Sequence, residues 1–151
     1  MISFTKIDLP FGWLSNMSRH AIEYNGRIWR TAEALFQSMR FSDNTIINSI
    51  WQEKSPMGAK MVAKKNKDKM VVEPLCKQDL ENMMIVLDLK VKQHPELKEE
   101  LLKTGNEIII EDVTARQRSN NMIWGMAKIN DNWVGKNILG KMWMKIRKNL
   151  E

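Results

Sequence analysis

A single cysteine, Cys76, occurs in 151 residues, so no intramolecular disulfide can form and nothing points to an oxidising compartment. The two histidines, His20 and His94, lie far apart in the sequence and complete no zinc-ligand spacing with it. No metal site and no cofactor is expected. A glycine-rich phosphate loop is also missing: residues 135–140 read Gly-Lys-Asn-Ile-Leu-Gly, which is not a P-loop. No nucleophile–base pair stands out. No apolar run is long enough to span a bilayer, and residues 1–6 have neither the basic start nor the apolar stretch of a signal peptide. A cytoplasmic protein without a membrane partner is the expectation. With no internal repeat and no low-complexity linker, a single domain over residues 1–151 is expected.

What is present is ordinary in bulk and uneven in detail. Hydrophobic residues make up 43% and charged residues 28%, the balance of a globular protein long enough to bury a real core. The net charge is +6, and residues 54–69 hold six lysines against Asp68 alone, a local +5. Such a face attracts polyanions, whether nucleic acid or a phosphorylated small molecule. A solvated Lys-rich helix would look the same.

The periodicity predicts a mainly α chain. Asn25-Gly26 between Ile22-Glu23-Tyr24 and Arg27-Ile28-Trp29 marks a small N-terminal β-hairpin. A helix over residues 32–41 follows, with Thr31 as N-cap and Ala32, Leu35, Phe36 and Met39 on its apolar face. Asp43 caps a second helix facing inward through Ile46, Ile47, Ile50 and Trp51. Ser55-Pro56 is N-cap and N1 of a third, running through Met57, Met61 and Val62. A long helix over residues 77–93 places Leu80, Met84, Leu87 and Val91 on one stripe. His94-Pro95 restarts a short helix that ends at Thr104-Gly105. Ile108-Ile109-Ile110 reads as a short buried strand near 107–113. A loop rich in Arg, Ser and Asn leads to Trp124-Gly125. The last helix begins near Lys136 and points Leu139, Met142, Trp143 and Ile146 inward. The expected fold class is a compact, single-domain multihelical fold with that hairpin and one short strand.

The 12 methionines at helical spacing are expected as core filler. Trp51 and Trp143 fall on core stripes and are assigned to packing. Trp29, Trp124 and Trp133 lie in loops or at element edges, where an indole can stack on a planar ligand.

The chemistry concentrates at the first helix. Glu33, Gln37 and Arg40 recur at i, i+4 and i+7, which stacks a carboxylate, an amide and a guanidinium beside core aromatics. An acid in a first turn is also what the helix dipole favours without any site. A carboxyl group can protonate a leaving group or stabilise oxocarbenium-like charge at an anomeric carbon. Glu111-Asp112, after the Ile run, is a second acidic resource. A desolvated lysine can attack an anomeric carbon and form a Schiff base after ring opening. Lys90 lies near the Leu87 and Val91 stripe, although helical lysines usually snorkel to the surface.

These segments resemble the NADAR (YbiA-like) N-glycosidase family. The resemblance covers residues 14–147 and rests on order and spacing. Its pieces are Leu14-Ser15-Asn16-Met17, then residues 26–37 from Gly26 to Gln37 with Arg40-Phe41, and Ser55-Pro56-Met57-Gly58-Ala59-Lys60. Leu89-Lys90 before His94-Pro95-Glu96-Leu97 follows, then Leu101-Leu102-Lys103-Thr104-Gly105, Ile110-Glu111 and Trp124-Gly125. Gly135-Lys136-Asn137-Ile138-Leu139-Gly140, with Met144 and Arg147, closes the series.

The resemblance implies a mainly helical N-glycosidase fold. It implies hydrolysis of N-glycosidic bonds, either to release ADP-ribose from ADP-ribosylated guanine in nucleic acid or to cleave phosphorylated intermediates of riboflavin biosynthesis. The family's active-site glutamate falls on Glu33, and a lysine implicated in a covalent sugar intermediate falls on Lys90, with Lys60 a second candidate. Ser15, Asn16, Trp29, Gln37, Glu111, Trp124 and Asn137 match positions expected around the substrate, and Arg40 with residues 54–69 is expected to draw in phosphates. Many members carry an Asp beside the Trp-Gly pair, where this chain has Asn121 and Met126. An asparagine hydrogen-bonds a ribose hydroxyl but is no base. That departure keeps a non-catalytic reader of ADP-ribose or nucleic acid as the alternative of another class, with Asp112 as the acid able to compensate.

Overall fold

The computed structural model describes residues 1–151. In chain order the elements are β1 (Ile2–Phe4), β2 (Ile22–Tyr24), β3 (Arg27–Trp29), α1 (Ala32–Ser38), α2 (Asn44–Gln52), α3 (Pro56–Lys65), α4 (Lys77–Gln93), α5 (Pro95–Lys103), β4 (Ile109–Glu111), α6 (Ser119–Trp124), β5 (Met126–Ile129), β6 (Asn132–Gly135) and α7 (Ile138–Leu150). Seven helices and three two-stranded sheets make the chain mainly α. They form two compact units, residues 16–95 and residues 1–15 with 96–151.

In residues 16–95 the local signals act as expected. β2 and β3 pair antiparallel, Ile22 opposite Trp29 and Tyr24 opposite Arg27. The turn between them holds Asn25 at φ 50° and Gly26 at φ 79°, the left-handed pair that a two-residue hairpin turn requires. Thr31 Oγ1 accepts from the Ala34 N–H at 3.1 Å and starts α1. Asp43 accepts from the Thr45 N–H at 2.8 Å, and Ser55 from the Gly58 N–H at 3.0 Å. Every residue of α1 is buried, as befits a helix packed by α2, α3 and α4. It ends at Ser38 instead of Phe41, because residues 39–41 close in tighter turns: the Phe41 N–H donates to Ser38 O at 3.2 Å.

Three inward faces differ from expectation. α3 buries Ala59 and Ala63, whereas Met57 and Met61 are exposed; small side chains let α3 lie close against α1 and α2. α2 buries Ile46 and Ile50, but Trp51 is 41% exposed. Its indole N–H donates to Ile28 O at 2.8 Å, and its ring lies 5.0 Å from the Arg27 guanidinium. The tryptophan therefore braces the hairpin from outside instead of filling the core. On α4 the buried stripe is Asp79, Asn82, Met83, Val86, Leu87, Lys90 and Val91. It is rotated from the Leu80–Met84 line, both of which are only half-buried.

In residues 1–15 and 96–151, β1 pairs in parallel with β4, Ile2 opposite Ile109 and Phe4 opposite Glu111. The strand begins at Ile109, and Ile108 is exposed. α7 packs on β4 through Gly140, where a Cβ would lie 2.2 Å from Ile109 O. Only glycine permits that approach. Trp143 is fully buried, donates to Leu14 O at 3.0 Å and meets Trp13 edge-on at 6.2 Å. The segment expected as a loop before Trp124 contains α6. The β5–β6 hairpin, absent from the sequence reading, turns on Asn130 and Asp131 at φ 50° and 65°, residue types that tolerate the left-handed region.

Candidate active site

Glu33 sits in the first turn of a helix with no exposed face. Its backbone N–H donates to Asn16 O at 3.0 Å, and the residue is 8% exposed. Gln37, one turn on, donates from Nε2 to Glu33 Oε2 at 3.3 Å. Arg40 donates from Nη1 to Gln37 Oε1 at 3.1 Å, with its guanidinium 4.6 Å from the Phe36 ring. The i, i+4, i+7 stripe read from the sequence is thus a connected hydrogen-bond chain.

Burial pushes the Glu33 carboxyl above its ordinary range. The Lys60 and Arg40 charges and the Gln37 hydrogen bond oppose that rise, while Asp79 adds to it. A carboxyl raised by burial and faced by cations can hold a proton and then bear the negative charge it leaves. Asn16, whose carbonyl accepts from the Glu33 N–H, turns its Nδ2 to Met83 Sδ at 3.4 Å. Its Oδ1 is buried without a hydrogen-bond partner, an acceptor suited to a ligand hydroxyl or N–H.

Other expected site residues take different places. Arg40 is buried and bound through Nε and Nη2 to the two oxygens of Asp79, both at 2.8 Å. Three of its five N–H groups are thus engaged by Asp79 and Gln37. Trp29 is 4% exposed in β3, with Arg27 5.6 Å from its ring; it is a core residue, not an edge available for stacking. The lysine whose charge acts on Glu33 is Lys60 of α3, which is half-buried.

Lys90, by contrast, is 0% exposed. Its Nζ donates to Ser18 Oγ at 2.7 Å, and Ser18 Oγ lies 2.9 Å from His20 Nδ1. The His20 ring stands edge-on to His94 at 5.2 Å, and His94 Nε2 lies 2.6 Å from Ala21 O. A carbonyl only accepts, so that nitrogen carries hydrogen. Burial lowers the Lys90 pKa to about 7.

Ser15, Glu111, Asn121, Trp124 and Asn137 belong to the unit of residues 1–15 and 96–151. Asn137, at φ 53° and buried, accepts from the Glu111 N–H at 3.1 Å and donates to Ile109 O at 2.9 Å. It clamps β4 to the start of α7. Ser15 is buried, and Glu111, Asn121 and Trp124 are half-buried. Asn121 donates from Nδ2 to Arg116 O at 2.7 Å, which holds the turn before α6.

Asp79 and Ser18 escaped the sequence reading. Asp79 carries a detectable signal, since it lies four residues before Met83 and eleven before Lys90 on the buried face of α4. Ser18 lies in an irregular segment and carries none. Two open hollows of about 520 and 460 Å³ lie along residues 49–55 and on the outer side of α3. Neither is lined by Glu33, so they mark surface relief and not the carboxylate site.

The NADAR domain family model matches residues 3–151. The chain is 30% identical over 154 residues to the N-glycosidase YbiA of Escherichia coli (strain K12), across 99% of this chain and 88% of that protein. It is 28% identical over 155 residues to the N-glycosidase Npun_R5314 of Nostoc punctiforme, across 99% and 92%. The NMR structure of E. coli YbiA has a similar fold, with a TM-score of 0.76 at 29% identity over 99% of this chain and 83% of that one. A family match over nearly every residue, with a fold to go with it, means that the chain belongs to the NADAR domain family.

Proposed function

We propose that this protein is an N-glycosidase that releases ADP-ribose from ADP-ribosylated guanine bases in nucleic acid. The N-glycosidases among its relatives support the reaction class. The observation that carries the mechanism is Glu33: a buried carboxyl with a raised pKa, held by Gln37 and faced by the Lys60 charge. The reaction breaks the bond between the anomeric carbon and the base nitrogen. The departing nitrogen takes the Glu33 proton, and the carboxylate so formed stabilises the positive charge left on the sugar. Water then adds to the anomeric carbon and gives a proton to the Glu33 carboxylate, which completes hydrolysis and restores the acid.

A lysine adduct is a variant of this scheme, in which an amine attacks the anomeric carbon and displaces the base, which takes the Glu33 proton; the sugar ring then opens to a Schiff base that water hydrolyses to free the sugar and the amine. Two lysines are candidates for that role: Lys90, a desolvated amine beside Ser18, and Lys60, whose charge acts on Glu33. The lysines of residues 54–69, most of them exposed, suit a nucleic-acid backbone.

The test is mass spectrometry of a guanine-ADP-ribosylated oligonucleotide incubated with the protein and with its Glu33→Gln variant. Release of ADP-ribose by the parent alone is expected. Undiminished release by the variant would remove Glu33 from the chemistry. Tight binding with no release would favour the reader. Formation of ribose 5-phosphate from a phosphorylated riboflavin intermediate would move the substrate to that metabolite. Borohydride trapping with peptide mapping tells Lys60 from Lys90.

A further inference from the structure

α4 turns a carboxylate toward the interior, and that carboxylate is fully engaged. Asp79 is 0% exposed. Its Oδ1 accepts from Arg40 Nε, and its Oδ2 accepts from Arg40 Nη2 and from the Leu75 N–H, all at 2.8 Å. Two parallel bonds fix the plane of the guanidinium. In that plane Nη1 points at Gln37 Oε1.

The consequence passes down α1. A glutamine amide offers an oxygen at one corner and a nitrogen at the other, and its sense is decided by its neighbours. With Oε1 taken by the Arg40 donor, Nε2 faces Glu33 Oε2. The flipped amide would set donor against donor at Arg40 and oxygen against oxygen at an ionised Glu33. Asp79 also satisfies the guanidinium's charge. Without it, the carboxylate left for Arg40 along the Gln37 hydrogen-bond chain is Glu33 of α1.

We propose that Asp79 is a positioning residue for the glycosidase reaction: by binding Arg40 through two nitrogens it sets the Gln37 amide against Glu33 Oε2 and keeps the guanidinium from pairing with Glu33, which leaves Oε1 to carry the proton to the departing base. This rests on the reading of Glu33 as the acid. The charged groups that act on Glu33 are Lys60 from α3, Arg40 just beyond α1 and Asp79 from α4. α2 carries no titratable side chain. β3 brings Arg27, which lies against Trp29 and Trp51 and donates to Asn48.

The experiment is a carbon-detected NMR titration of the Glu33 carboxyl in the parent and in Asp79→Asn, beside the pH profile of kcat/KM on the ribosylated oligonucleotide. Removing Asp79 takes away a charge that raises the Glu33 pKa and frees one that lowers it. The Glu33 midpoint is expected to fall by about one pH unit. The basic limb of the profile should fall with it, and kcat at pH 7 should drop about tenfold with a smaller change in KM. An unchanged midpoint in a folded Asp79→Asn protein overturns the proposal. A midpoint that falls in a protein whose parent releases no ADP-ribose supports the positioning and rejects the ribosylated oligonucleotide as substrate instead.

The doubly neutral variant, Asp79→Asn with Arg40→Gln, leaves no buried charge unpaired and serves if the single variant does not fold. There Gln37 has lost its anchor, so kcat should stay about tenfold low while the Glu33 midpoint returns to the parent value or above. Parental kcat in that variant overturns the proposal.

Discussion

The Lys90 ammonium donates to Ser18 Oγ at 2.7 Å with none of the lysine's surface exposed. Burial lowers its pKa from 10.5 to about 7. Between those values the unfolded chain binds a proton that the folded one has released, so stability rises with pH across that window and is lost as pH falls back through it. Relative to Lys90→Met, the parent should gain about 2–3 kcal/mol between pH 7 and pH 9. Urea melts of both proteins at the two pH values measure this. Parallel curves would show that the amine titrates normally.

Glu33→Gln separates activity from stability. Loss of the proton donor should lower turnover about a hundredfold. The Glu33 pKa is raised from 4.5, so the folded protein holds its proton longer than the unfolded chain. The stability this gives is present below the ordinary value and fades as pH rises through the folded pKa. Glutamine has nothing to lose, and the variant should therefore melt higher than the parent at pH 8 and closer to it at pH 4. Thermal scans at both pH values decide the matter, with a lower melting temperature at pH 8 counting against the assigned burial cost.

Trp143 and Trp51 make a contrasting pair. Trp143→Ala empties a fully buried site and loses a hydrogen bond to Leu14, at an expected cost of about 3–5 kcal/mol. Trp51→Ala removes an exposed ring, its contact with Arg27 and one bond to Ile28, worth about 1 kcal/mol. Chemical denaturation at one pH ranks them. Equal costs would place Trp51 in the core after all.

Asn121→Asp tests the departure at the Trp-Gly pair. The Nδ2 donor to Arg116 O has no equivalent on an ionised carboxylate. The variant should lose about 1 kcal/mol of stability and show no gain in turnover. A faster enzyme would mean that an acid at this position takes part in the chemistry.

Local signals were legible along the chain, and their residues explain why. Thr31, Asp43 and Ser55 cap helices because a side-chain oxygen needs only the N–H groups two or three residues ahead. Asn25-Gly26 turns because both residues accept positive φ. The Asn130-Asp131 turn has the same physics with a weaker signal, since neither residue is glycine. The Glu33–Gln37–Arg40 stripe followed from helical spacing alone.

What the sequence determined by itself, then, is the set of contacts that close within a few residues: caps, the first hairpin, the run of helices apart from α6 and the order of the polar stripe from Glu33 to Arg40. Tertiary structure decided which polar groups go inside. Asp79 is buried because Arg40 reaches it from 39 residues away, and Lys90 because Ser18 reaches it from 72. A charged side chain enters a core only when a partner meets it there. No spacing rule contains that partner, so the stripe of α4 turned toward Asp79 and Lys90, and the neighbour of Glu33 became Lys60.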